Sequence, residues 1–196
     1  MAGGFDDTIA AARACELCKV HLPLGPRPVF QISPTARILV VGQAPGRKVH
    51  DTGIPFNDPS GVRLRNWMGV DAPVFYDSSR IALLPMGLCY PGTGKSGDLP
   101  PRPECAVQWR RTLLDLMPDI QLMLVIGQYA QAWHLGPAQK NTLTETVQNW
   151  QNYWPRVAVL PHPSPRNNIW LKKNPWFEKD VVPAVREKIA GLLKQG

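Results

Sequence analysis

Long apolar runs are missing from this chain. Segments such as Ile38-Leu39-Val40-Val41 and Leu122-Met123-Leu124-Val125-Ile126 stop at four or five residues, far short of the roughly 20 that a membrane-crossing helix needs. Met1 through Asp7 lacks the basic and apolar regions of a signal peptide, so no membrane association and a cytoplasmic location are the expectations. Acidic residues are in deficit, 15 against 22 basic ones, and the resulting +7 favours polyanionic partners such as nucleic acid. Cysteines are few. Cys15, Cys18, Cys89 and Cys105 do not make a disulfide framework in a cytosolic chain, which leaves metal or cluster ligation and buried free thiols both open. Internal repeats and low-complexity tails are also absent, and a 44% hydrophobic content over 196 residues supports one domain, 1–196, with a real core.

Proline, by contrast, is plentiful. The 21 prolines imply several long shaped loops, where binding and catalysis usually sit. Between the loops, apolar runs alternate with helical patterns. Ile38–Val41, Ile81–Leu84, Leu122–Gly127 and Val157–Leu160 read as strands buried on both faces. A short capped helix is expected over Asp6–Arg13, delivering Cys15 and Cys18. A serine-capped helix is expected over Ser60–Met68, and further helices over Glu104–Met117, Gln128–His134, Thr142–Trp154 and from Trp176 or Phe177 to Leu193. His21–Pro34 and Tyr90–Pro103 are expected as loops, with Pro85 an awkward strand end because it donates no hydrogen bond. Repeated strand and helix units with double-sided strands argue for a three-layer α/β/α sandwich around a central, mainly parallel four-stranded sheet.

Pro91-Gly92-Thr93-Gly94-Lys95-Ser96 looks like the end of a phosphate-binding P-loop, which would make the chain an NTPase. The glycine required five residues before Gly94 is Cys89, and Pro100, Pro101 and Pro103 stand where a helix should open. The NTPase reading is therefore set aside.

Chemistry concentrates where Val41 runs into Gly42-Gln43-Ala44-Pro45-Gly46, since ligands of open α/β sheets bind beyond the carboxyl ends of the strands. That turn, with Thr52-Gly53-Ile54-Pro55-Phe56-Asn57-Asp58-Pro59-Ser60-Gly61 and His162-Pro163-Ser164-Pro165-Arg166-Asn167, resembles the uracil-DNA glycosylase superfamily. The first two segments are similar to the paired motifs of its iron–sulfur family 4 enzymes, and the last to the H-P-S-P-R-N segment of the single-strand-selective branch. The cysteine spacing is also similar to family 4, so the resemblance implies a [4Fe-4S] cluster on Cys15, Cys18, Cys89 and Cys105, with zinc or no metal as the alternatives.

What the resemblance implies is a monofunctional enzyme of base excision repair, expected to be monomeric. It would hydrolyse the N-glycosidic bond of uracil in DNA, with other deaminated bases as further candidates, and leave an abasic site. The alternative is a non-catalytic DNA-binding member of the same fold. Such hydrolysis passes through a cationic, oxocarbenium-like sugar and an anionic leaving base, so the site must hold both charges. His162 is the candidate for the base anion. Gln43, which stands where family 4 has glutamate, and Asp58 and Asp51, both expected on the loop after that turn, are candidates for handling water. Gly42, Ala44, Pro45 and Gly46 would shape the pocket, and Phe56 would stack on the flipped base. Ser164, Arg166, Asn167, Lys172 and Lys173 are candidates for DNA contacts. Pro85 occupies the place of the family 4 asparagine that reads the uracil edge.

Overall fold

Four short runs of β-branched and aliphatic residues, each with side chains that alternate in direction, can be covered from both sides only inside a layered fold. The computed structural model, which describes residues 4–95 and 97–194, builds that arrangement. Strands β1 (Ile38–Val41), β2 (Ile81–Leu83), β5 (Leu122–Ile126) and β6 (Val157–Leu160) form a parallel sheet in the order β2-β1-β5-β6. Register aligns Val40 with Leu83 and Leu124, and Ile126 with Leu160, so the carboxyl ends of the strands lie together at one edge. Strands β3 (Thr93–Gly94) and β4 (Gly97–Asp98) make a separate antiparallel hairpin.

Alternation divides the core in two. Ile38, Val40, Ile81, Leu83, Leu122 and Leu124 face one layer, formed by α3 (Pro59–Met68), α4 (Ala72–Phe75), α8 (Leu143–Gln148) and α10 (Val182–Leu193). Leu39, Val41, Ala82 and Val125 face the other, where α1 (Phe5–Arg13), α6 (Arg111–Asp115) and α7 (Gly127–Leu135) pack. The three-layer α/β/α expectation is met.

Local departures have identifiable causes. Helix α3 is capped by Asp58, whose Oδ1 accepts the Gly61 N–H at 2.8 Å, and Pro59 fills the first turn; the expected serine cap, Ser60, is buried inside the helix. Helix α1 starts after Gly4 with no side-chain cap, its Asp6 and Asp7 lying in the first turn. The stretch expected over Glu104–Met117 is α5 (Pro103–Cys105), a π turn (Ala106–Arg110) and α6. Thr142 and Glu145 form a capping box, but α8 ends at Gln148 and only a 3-10 turn, Trp150–Asn152, follows. Three helices lie outside the sequence expectation: α2 (Arg47–Thr52), hidden in a polar stretch, the short α4, and α9 (Asn168–Lys173).

Pro85 is accommodated by a skip in the ladder. The Leu84 N–H donates to Val40 O at 3.0 Å and the Met86 N–H to Gly42 O at 2.9 Å, so the missing N–H falls between two bonds. On the outer side of β2, Gln31 exchanges backbone bonds with Leu83 at 2.9 and 2.7 Å, which covers an otherwise open edge. The P-loop-like segment folds as the β3–β4 hairpin rather than a strand, loop and helix, while its Ser96 lies outside the described residues, as do Met1–Gly3 of the leader reading.

Candidate active site

The chain leaves β1 to pair β2 on one side and later adds β5 on the other, so the loops beyond the strand ends diverge and open a crevice. There lies a cavity of about 400 Å³. Gly42 through Gly46 line it from β1, Leu83 and Pro85 from β2, and His162, Ser164, Arg166 and Asn167 from β6; Phe56, Asp58 and Ser60 close one flank, and Gly97 and Asp98 of the hairpin another. Strand ends and helix starts supply most of this wall, so its groups stand on rigid backbone.

Phe56 is held in an uncommon conformation. Its φ is +53°, in the left-handed region that bulky residues avoid, at a cost on the order of 1–3 kcal/mol. Two glycines make that conformation tenable. A Cβ on Gly42 would meet Phe56 Cζ at 3.1 Å, and one on Gly61 would meet Phe56 O at 1.7 Å. The ring also packs edge-on against Phe75 with centroids 6.1 Å apart, leaving Phe56 braced where it lines the cavity.

His162 is placed by bonds on both sides of its loop. Gln131, fully buried on α7, donates from Nε2 to Leu160 O at 3.0 Å, and Asn167 Nδ2 donates to His162 O at 2.7 Å. The Ser164 N–H donates to His162 Nδ1 at 3.2 Å, so Nδ1 is the acceptor and Nε2 carries the proton of the neutral ring. Burial holds the imidazole below the ordinary histidine range, opposed by the carboxylates of Asp58 and Asp98. A neutral ring with a fixed Nε2–H is a donor suited to an oxygen on which negative charge develops.

The other expected residues divide. Gln43 lines the cavity, but its Nε2 donates to Leu99 O at 3.1 Å, which ties the β1 turn to the hairpin. Asp58 lines it while also capping α3. Asp51 is not in the lining; it sits on α2, solvent-facing, paired with Arg47 at 3.1 Å, because a helix formed where a loop was expected. Ser164 and Asn167 brace the His162 loop as well as lining the cavity, and Arg63 Nη1 supports that loop by donating to Ser164 O at 3.1 Å. The Arg166 guanidinium lies across Gly97 of the hairpin, where an added Cβ would meet Nη1 at 2.0 Å. Lys172 and Lys173 are exposed in the last turn of α9 and outside the lining.

A profile of the uracil DNA glycosylase superfamily matches residues 29–186. The chain belongs to this superfamily. The match takes in every strand of the central sheet and the whole lining of the large cavity. Cys15 and Cys18 precede the matched residues, whereas Cys89 and Cys105 lie within them.

All four cysteines of this glycosylase-superfamily chain nonetheless open on a second cavity, with Leu88, Arg102 and Trp109. No three His, Cys, Asp or Glu side chains among the described residues are grouped tightly enough to enclose a single metal ion. Burial pushes the Cys89 thiol up to about 11 and Cys105 to about 12, so anionic sulfur there requires positive charge from a bound group. Hydrogen-bond donors surround the same space. The Leu88 N–H donates to Cys105 Sγ at 3.3 Å, and the buried Trp109 Nε1–H has no acceptor among the described residues. Four sulfurs thus line one cavity, of about 20 Å³, together with Trp109.

Next to this cavity Arg110 is 2% exposed and without a carboxylate partner among the described residues. Its Nη1 donates to Leu84 O at 2.7 Å and Pro85 O at 3.1 Å, and Nη2 meets His134 Nε2 at 2.7 Å. Desolvation lowers the guanidinium to about 9 and burial beside it lowers His134 to about 3, which leaves His134 a neutral acceptor. The helix that carries Cys105 is thereby tied to the Pro85 wall of the large cavity.

Proposed function

We propose that this chain is a monofunctional DNA glycosylase that hydrolyses the N-glycosidic bond of uracil in DNA and leaves an abasic site. One observation carries the reading: His162, with Nδ1 occupied by the Ser164 N–H, shares a strand-end cavity with the ring of Phe56 and the Gly42–Gly46 turn. A flipped pyrimidine stacked on Phe56 would lay a carbonyl toward Nε2–H. As the glycosidic bond breaks, that donor stabilises charge on the departing base, and water adds to the cationic sugar. The net charge of +7 supports capture of the DNA backbone.

Incubating the protein with uracil-containing single- and double-stranded oligonucleotides, followed by hot alkali, tests the activity. Strand scission confined to the uracil position is expected; binding without scission would favour a non-catalytic DNA-binding protein.

In this reading Cys15, Cys18, Cys89 and Cys105 hold a [4Fe-4S] cluster, family 4-like, whose chemistry here is structural. Its effect on the site follows from the chain's own bonds. The Gly87 N–H donates to Gln43 O at 3.0 Å, so the backbone that carries Cys89 also supports the β1 turn. Cys89→Ser is expected to lower iron content, bleach the visible absorption of anaerobically purified protein, lower the thermal midpoint by several degrees and weaken substrate affinity. Colourless, iron-free wild-type protein purified anaerobically would remove the cluster.

A further inference from the structure

Asp98 was not anticipated from sequence because it sits in a Pro/Gly-rich stretch that reads as a plain loop. The β3–β4 hairpin carries it to the rim of the large cavity. Gln43 pins the hairpin by its bond to Leu99 O, and the Leu99 N–H donates to Gly92 O at 2.8 Å, which closes the hairpin's base. Opposite stands Gly46, the residue before α2: a Cβ there would lie 3.3 Å from Asp98 Oδ2. The carboxylate thus occupies the space left by a missing side chain.

Other carboxylates near this cavity have other employment. Asp51 faces solvent against Arg47, and Asp58 spends one oxygen on the N-terminus of α3. The Asp98 carboxylate accepts no hydrogen bond and joins no ion pair among the described residues. Three charged or titratable side chains face it: Arg166 and His162 from the loop after β6, and Asp58 from the start of α3. Deep walls of the cavity are apolar, with Val29, Leu83 and Pro85. In the glycosylase reading a flipped base would meet this buried apolar surface, with its sugar toward the exposed Asp98.

We propose that Asp98 is the catalytic carboxylate on the sugar side, which orients the attacking water and stabilises the cationic sugar. The proposal rests on the glycosylase reading above. In this step the C1′–N bond breaks and its electron pair leaves with the base, stabilised through His162 Nε2–H. The water oxygen bonds to C1′, its proton passes to the Asp98 carboxylate, and the base anion takes up a proton on release. Desolvation holds this carboxyl above the ordinary aspartate range, opposed by Arg166 and His162, so its proton affinity suits a general base better than that of an exposed aspartate.

The test is single-turnover excision from a uracil-containing single strand by wild type, Asp98→Asn, Asp98→Ala and Asp58→Asn, with DNA affinity and a pH profile for each. Both Asp98 variants should lose about 10²–10⁴-fold in rate while binding DNA no more weakly, since a negative charge near phosphates is removed. The acid limb of the wild-type profile, displaced upward from the usual carboxylate range, should vanish in Asp98→Asn. Asp98→Asn within two-fold of wild type overturns the proposal, as does a loss confined to DNA affinity or a pH profile that Asp98→Asn leaves unchanged. Wild-type protein that leaves every uracil-containing strand intact overturns the glycosylase reading and the proposal together.

Discussion

His162→Ala is expected to slow single-turnover uracil excision by about 10²–10⁴-fold with little change in DNA affinity, because it removes the donor aimed at the leaving base and leaves the DNA-facing surface intact. His162→Gln, which keeps a side-chain N–H, should recover part of that rate, and equal rates for His162→Ala and wild type would exclude the ring from the chemistry. The pH dependence has a defined sign. Burial depresses the folded-state affinity of His162 for a proton, so between the ordinary histidine range and the lower folded value the unfolded chain binds more protons. Stability therefore rises with pH across that window and falls as the solution is acidified through it. The Ser164 N–H to Nδ1 bond is lost once the ring is protonated, so His162→Gln should flatten this part of the pH–stability curve measured by urea unfolding.

Gly61→Ala is expected to cost more stability than any substitution of a charged rim residue. The added methyl would fall 1.7 Å from Phe56 O and 2.7 Å from its carbonyl carbon, and backbone cannot swing aside as a flexible side chain can. Helix α3 and the Phe56 loop must separate, which releases Phe56 from its positive φ and disturbs the Asp58 cap. Destabilisation of about 3 kcal/mol and a fall in excision of about 10²-fold or more are the expected readouts, by urea titration and single-turnover kinetics. Gly191→Ala, in a helical position with no other described residue within 4 Å of the new methyl beyond its own helix, should instead leave activity unchanged and add about 0.5–1 kcal/mol of stability. Similar behaviour of the two alanine variants would show that Phe56 is not held by Gly61.

Much of this architecture was legible in the sequence because the sheet is built from uninterrupted aliphatic runs, whose two-sided burial and spacing by helices leave few alternatives. Ile38–Val41 and Val157–Leu160 appear with the boundaries their patterns suggested. Strand-end turns were readable for the same reason, so Gly42–Gly46 and His162 fall on one cavity. What stayed hidden depends on contacts between segments distant in sequence. Arg47–Thr52 has no apolar period, and its helix is held by burial of Val49 and His50, so Asp51 looked like a loop carboxylate. Asp98 required a two-residue hairpin pinned by Gln43, 55 positions earlier in the chain from the aspartate and bonded through Leu99. Ser60 lost the capping role to Asp58 because Pro59 suits the first helical position.

The skipped rung at Pro85 separates recognition from folding. Its neighbours Leu84 and Met86 carry the ladder to β1, so the residue between them owes no hydrogen bond to the sheet and shows the cavity only its side chain, while its carbonyl is held by Arg110. A side chain with an amide at this place could grip the edge of a base without altering the strand that bears it. Under the proposed glycosylase reading, the choice of base can thus drift by single substitutions at a position where the scaffold is indifferent.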